Sequence, residues 1–202
     1  MIDRDALLGA IARLTAAMER EAPALNEIDG ALGDGDLGIT MTRGMQAVAS
    51  GAAEMPADLG QALLRCAQAF TKTSGSSYGT LFATGLMSAA KALKGRESLD
   101  ASEVSGLIAG ARDAMQQRGK AEIGGKTVLD SLDAMAKATV GLSDPAEVAR
   151  AARNAAQEAM EAFREKPATV GRARIFADKS RTMLDPGMLA MTRIVEAVTG
   201  EA

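Results

Sequence analysis

Apolar residues recur at helical spacing in eight separate stretches of this chain, and glycine, proline or a capping side chain punctuates them. Leu7, Ile11, Leu14 and Met18 stand at i, i+4, i+7 and i+11. They predict a first helix over about residues 3–20, ended by Pro23 and an acidic glycine loop. Met41, Met45 and Val48 predict a second helix, and Leu59, Leu63, Cys66 or Ala67, and Phe70 a third, with Gly51 and Pro56 between them. A serine-rich break supplies cap candidates for a fourth on Phe82, Leu86, Ala89 or Ala90, and Leu93, closed by Gly95. Val104, Leu107, Ile108, Ala111 and Met115 mark the fifth. Thr127 with Asp130 forms a capping pattern for a sixth on Val128, Leu132 and Met135, which Gly141 stops. Asp144 and Pro145 open a seventh on Val148, Ala152, Ala155 or Ala156, Met160 and Phe163. Residues 167–187 read as one long loop, of the kind that more often serves function than filler, before an eighth helix on Met188, Met191, Ile194 and Val198. No stretch has strand character. Short amphipathic helices with brief connections predict an all-α fold of eight antiparallel helices, packed as a bundle or closed barrel, with residues 1–202 as a single domain.

Composition narrows the chemistry. A net charge of −3, with one Tyr, four Phe and no Trp, provides neither an electrostatic footprint nor a stacking platform for nucleic acid. No apolar run is long enough to span a bilayer, and Met1-Ile2-Asp3-Arg4-Asp5 lacks the features of a signal peptide, so a cytoplasmic protein without membrane contact is expected. Cys66 stands alone among apolar neighbours and reads as a small core hydrophobe. The chain has no histidine, which removes the commonest general base and metal ligand and leaves carboxylates, metal and backbone to carry any reaction. Twelve methionines imply a core filled by flexible thioethers.

One segment concentrates chemical potential. Asp29, Asp34 and Asp36 lie within Asp29-Gly30-Ala31-Leu32-Gly33-Asp34-Gly35-Asp36-Leu37-Gly38, where interleaved glycines let a short loop turn its carboxylates toward one point. Converging carboxylates repel without a cation, and Mg²⁺, which takes oxygen ligands and completes its shell with phosphate oxygens, suits them. The alternative is a plain Asp/Gly surface turn. Three further glycine patterns mislead. Gly33 to Gly38 matches G-x-G-x-x-G without the strand that motif follows; Gly75-Ser76-Ser77-Tyr78-Gly79 matches a nucleophile elbow without a histidine. Gly119 to Thr127 has one residue too many for a Walker A loop. What these patterns share is a glycine-rich turn at a helix start, where unpaired N–H groups can receive anions.

The acidic run resembles the nucleotide-binding L subunit, or L domain, of the dihydroxyacetone kinase family. Thr73-Ser74-Gly75-Ser76-Ser77-Tyr78-Gly79-Thr80 resembles that family's phosphate-contacting segment, and Arg118-Gly119-Lys120-Ala121 with Lys126-Thr127-Val128-Leu129-Asp130 its purine side. Gly171-Arg172-Ala173 and Asp185-Pro186-Gly187 are similar to its capping loop and closing turn. The resemblance implies an eight-helix barrel holding ADP or ATP and two Mg²⁺ at one rim. Asp29, Asp34 and Asp36 would hold metal; Leu37, Gly38, Ile39, Thr40, Thr73 and Ser74 would face phosphates; Gly119, Thr127 and Val128 would border the base. Arg172, Asp185, Pro186 and Gly187 would belong to the cap and its turn.

The resemblance further implies a phosphotransferase that works only with a K-type partner, on which a histidine holds the ketose covalently. Phosphate would come from exchanging ATP or from a phosphotransferase-type donor subunit that recharges bound ADP. Three positions depart from the family: Leu37 in place of histidine or a polar residue, Thr71-Lys72 in place of a glycine pair, and Gly125 in place of an aspartate. Lys72 is either a phosphate-facing charge or a solvated helix-end lysine. With these departures the ketose is dihydroxyacetone or a four-carbon relative such as erythrulose. The alternatives are a nucleotide-binding regulatory module without transfer activity, and the ATP-binding module of a fatty-acid kinase, which would require a second domain. The basic residues Arg172, Arg174, Lys179 and Arg181 either screen phosphate or form a solvated loop, Tyr78 and Phe82 are expected in the core, and the methionine stripes are expected to line the barrel.

Overall fold

A capping side chain starts most of the helices. In the computed structural model, which describes residues 1–200 except the side chains of Arg172 and Ala177, Asp3 accepts the Ala6 N–H at 3.0 Å and opens α1 (Arg4–Leu32). α2 (Leu37–Ser50) follows. Asp58 caps α3 (Leu59–Thr73) through the Gln61 N–H, and Ser76 caps α4 (Ser77–Ala92) through that of Gly79. α5 (Val104–Gly119) ends in left-handed Lys120. Thr127 and Asp130 form a capping box at α6 (Val128–Ala138), while Asp144 opens α7 (Pro145–Ala162) with proline in its first turn. A 3-10 turn (Arg172–Phe176) and the one-turn α8 (Ala177–Ser180) precede α9 (Pro186–Thr199), capped by Asp185. Each cap satisfies an N–H that has no partner inside its helix.

The long helices form a ring in chain order. Each of α1 to α7 packs against the next, α7 against α9, and α9 returns to α1, which closes the barrel. Arg13 ties that seam by donating to the carbonyls of Ala197 at 3.0 Å and Val198 at 2.7 Å. The core carries Met18, Met41, Leu25, Val48, Phe70 and Met188, each almost wholly removed from water. Nine of the twelve methionines belong to the core cluster, and the Phe70 and Phe82 rings meet at 5.0 Å between centroids in a tilted pair. Burial pushes the Cys66 thiol up to about 11, as befits a core hydrophobe.

Four local expectations differ from the structure. α1 does not end before Pro23 but runs to Leu32, because Leu25 and Leu32 extend its buried face beyond the proline. Burying large side chains offsets the lost hydrogen bond of an interior proline, which costs about 3 kcal/mol. Asp29 consequently sits in a helix rather than in a loop. The loop at residues 167–187 contains a 3-10 turn and α8, and α4 stops at Ala92, before the left-handed Gly95. Finally, Ile2–Asp3 and Ser98–Leu99 pair as a two-residue antiparallel ladder that pins the N-terminus beside the start of α5. No described helix is long and apolar enough to cross a membrane.

Candidate nucleotide and metal site

The last turns of α1 and the first of α2 form one acidic corner. Asp29, Asp34 and Asp36 each bring a carboxylate oxygen to within 4.8 Å of the others. Gly35 makes the turn between the latter two at φ 74, a left-handed conformation that glycine adopts without penalty. Asp29 Oδ2 accepts the N–H groups of Asp36 at 3.0 Å and Leu37 at 3.2 Å. Asn26, one turn earlier on the same face of α1, accepts those of Gly38 at 2.8 Å and Ile39 at 3.2 Å. α2 is therefore capped by two side chains of α1. Its positive end lies beside the acidic trio, which suits anionic groups there. Exposed or half-buried hard oxygen donors at this spacing fit a divalent cation such as Mg²⁺.

This corner is one wall of a cavity of about 860 Å³. Gly75, Ser76, Ser77, Tyr78 and Thr80 from the start of α4 form a second wall; Met115, Arg118, Gly119, Thr127 and Val128, where α5 hands over to α6, form a third. The segment before α9 closes the space with Val170, Gly171, Ala173, Arg174 and Ile175, and with Asp185, Pro186 and Gly187. The walls thus differ in chemistry: carboxylates and hydroxyls line the α1–α2 corner and the start of α4, whereas the α5–α6 wall and the segment before α9 mix apolar and backbone surface with Arg118, Arg174 and Asp185. A ligand with one anionic and one flat, weakly polar end matches that division.

Buried polar residues hold the walls together. Asp130 accepts N–H groups from Gly124 at 2.5 Å and Thr127 at 2.7 Å, which shapes the turn into α6. Lys126, in that turn, donates to four backbone carbonyls. Its burial pulls its ammonium below the usual lysine range, with Asp185 opposing the shift. Tyr78 hydroxyl donates to the Gly187 carbonyl at 3.2 Å, and burial followed by the charge of Asp185 pushes its phenol up. Loss of water also pushes the Asp185 carboxyl up to about 7, against the lowering effect of the Met188 and Gly187 N–H groups.

Most of the expected residues meet here, though not all. Asp29, Asp34, Asp36, Leu37, Gly119, Thr127, Val128, Asp185, Pro186 and Gly187 line the cavity. Gly38 and Ile39 border its corner, but their N–H groups are engaged by Asn26. Thr40 is buried, with its N–H on the Asp36 carbonyl, and Thr73 directs its hydroxyl to the carbonyls of Ala69 and Phe70. Ser74 Oγ is buried against Gly79 without a hydrogen-bond partner. Tyr78, expected in the core, packs half-buried against it and also lines the cavity. Lys72 is exposed in the last turn of α3, away from the lining, where its charge complements the helix dipole as a solvated end residue does. The side chain of Arg172 lies outside the described residues. Arg118, from the segment resembling the purine side, and Arg174, from the basic loop, also line the cavity, whereas Asn26 and Met115 were not foreseen as site residues; the i, i+3 spacing of Asn26 and Asp29 points to a shared face only once α1 continues past Pro23.

Comparison with known proteins gives the family and the fold. The DAK2 domain model matches residues 31–200. An L-erythrulose kinase of Pectobacterium atrosepticum is 33% identical over 183 residues, 87% of this chain and 31% of that protein. The chain therefore spans about a third of the length of such relatives. It spans 97% of the ADP-binding subunit of a PTS-dependent dihydroxyacetone kinase from Lactococcus lactis subsp. lactis, at 27% identity over 98% of its own length. The fold superimposes on the crystal structure of the dihydroxyacetone kinase from C. freundii in complex with AMP-PNP and Mg²⁺. The TM-score is 0.76 and the identity 22%, over 96% of this chain and 33% of that one. The family match runs from the acidic corner to the helix that closes the ring, and the chain belongs to the DAK2 domain family, that of the dihydroxyacetone kinase ADP-binding subunits.

Proposed function

We propose that this chain is the nucleotide- and Mg²⁺-binding component of a two-part small-ketose kinase, acting in the cytoplasm on a ketose that a separate K-type subunit holds. The observation that carries this reading is the acidic trio on one wall of a cavity whose α5–α6 wall offers apolar and backbone surface beside Arg118. Asp29, Asp34 and Asp36 would hold two Mg²⁺, whose charge would neutralise the phosphoryl group in transfer. Asp29 is set for this by the two N–H groups that fix its carboxylate. Ser76, Ser77 and Thr80 would orient phosphate oxygens from the α4 side, and Gly119, Thr127 and Val128 would border the base. Positioning and charge neutralisation are most of what phosphoryl transfer asks of a protein. A histidine-free chain fits a division in which the ketose is captured elsewhere.

Relatives that are ADP-binding subunits of PEP- or PTS-dependent kinases support a phosphotransferase-type donor that recharges bound ADP, whereas the structural neighbour crystallised with AMP-PNP and Mg²⁺ supports exchange of ATP. Calorimetry decides the first step. ADP should bind only with Mg²⁺ present, and Asp34→Ala should abolish that binding. Because Asp34 is exposed, its loss should leave thermal stability within about 0.5 kcal/mol. Equal ADP affinity with EDTA, or in Asp34→Ala, would sink the proposal. Turnover of dihydroxyacetone or erythrulose on adding a K-type subunit then separates a kinase component from a regulatory module.

A further inference from the structure

Lys126 is 1% exposed and its backbone sits at φ 61, a left-handed conformation unusual for a residue with a β-carbon. That backbone aims the side chain inward. Its Nζ donates to the carbonyls of Arg164 at 2.9 Å and Lys166 at 3.0 Å, just after α7. It also donates to those of Ser180 at 2.7 Å, the end of α8, and Met183 at 2.8 Å, before α9. An ammonium carries three donors and no acceptor, so four carbonyls share three protons and a neutral amine could not serve them. One charge therefore gathers both ends of the strap at residues 164–185.

The strap crosses the cavity. Val170, Gly171, Ala173, Arg174 and Ile175 form part of its lining. On the α6 side the Thr169 N–H meets the Gly125 carbonyl at 3.2 Å, and within the strap Ser180 Oγ accepts the Ala168 N–H at 2.8 Å. On the acidic side Lys179 Nζ donates to the Ala31 carbonyl at 2.9 Å, next to the trio. Lys126 itself precedes Thr127 and Val128, which face the cavity. The same turn thus anchors the strap and presents the opposite wall, so the length of one side chain sets the separation of the two.

We propose that Lys126 is the positioning residue for nucleotide, holding the strap over the cavity by its four carbonyl contacts so that the site is closed to the right width. The proposal rests on the nucleotide reading above. Lys126→Met keeps the volume and removes the donors. In hydrogen exchange on the full chain, peptides from residues 164–185 of this variant should exchange about tenfold faster, with α2 and α3 within about twofold of wild type. Its affinity for Mg²⁺-ADP by calorimetry should fall about tenfold, and because coupling is reciprocal, Mg²⁺-ADP should slow strap exchange in the wild type far more than in the variant. Unchanged strap exchange, or a loosened strap with unchanged ADP affinity, overturns the proposal. Should the variant not fold, the Lys126 ammonium of the wild type can be followed by ¹⁵N NMR. Mg²⁺-ADP should slow its proton exchange several-fold, and an ammonium indifferent to nucleotide overturns the coupling. A wild-type chain that binds no ADP removes the nucleotide reading and this role with it, whereas the exchange of the free protein still shows whether Lys126 fastens the strap.

Discussion

Asp185 caps α9 through the Met188 N–H at 2.9 Å and also faces the cavity, so one carboxylate serves the fold and the site. Loss of water pushes its carboxyl up to about 7, from 3.8 in the open chain. Its proton is therefore held more tightly by the folded state, and between those values the unfolded chain has released a proton that the folded one retains. Stability from this group is full below pH 4 and is lost as pH rises through 7. Asp185→Asn, which keeps a cap acceptor, should flatten that decline in urea titrations run from pH 4 to pH 7.5. A decline equally steep in the variant would place the responsible group elsewhere. The turn Asp185-Pro186-Gly187 before an apolar stripe was legible as a break before the last helix, but not that Asp185 caps it. The raised carboxyl was not legible either, because it comes from burial that only the fold creates, with the charge of Asp130 adding to it and that of Lys126 opposing it.

Between elements, α2 approaches the backbone of α1 closely at Gly38. A β-carbon on Gly38 would stand 2.2 Å from the Ala22 carbonyl oxygen and 2.7 Å from the Ala22 Cα, so backbone meets backbone there. This approach lets Asn26 and Asp29 reach the first N–H groups of α2. Gly38→Ala should push the helices apart and lower stability by about 1–3 kcal/mol, measured by urea denaturation. It should weaken Mg²⁺-dependent ADP binding as well, since Asp36 and Leu37 move with α2. A variant of wild-type stability would mean that the contact relaxes freely. The motif with Gly38 was visible in the sequence, but its partner was not: ending α1 at Pro23 hides the surface against which the glycine packs.

Across the whole molecule, closure of the ring depends on α1 meeting α9, and Arg13 makes that seam polar as well as apolar. The carbonyls it binds are the last of α9, which a cation suits. Arg13→Ala should cost about 1 kcal/mol, because the contacts are partly exposed, and should leave unfolding a single transition in circular dichroism. A split transition would show that α9 detaches separately. The helix stripes, the Thr127–Asp130 and Asp144 caps, the Asp185-Pro186-Gly187 turn and the acidic trio were all readable, being set by contacts within a few residues. The course of α1 through Pro23, the inward Lys126 and the cavity-facing Tyr78 were not.

The sequence by itself determined where helices start and stop and that three carboxylates would share a corner, because helical hydrogen bonds and capping act over three or four positions. Tertiary structure decided that this corner would face residues 118–128 and the strap before α9, more than eighty positions away in chain order. Only the closing of the ring brings those walls within reach of one ligand. The reason is physical: the apolar stripes specify which faces must be buried, whereas shape, close backbone approach and the satisfaction of buried polar groups select which face meets which.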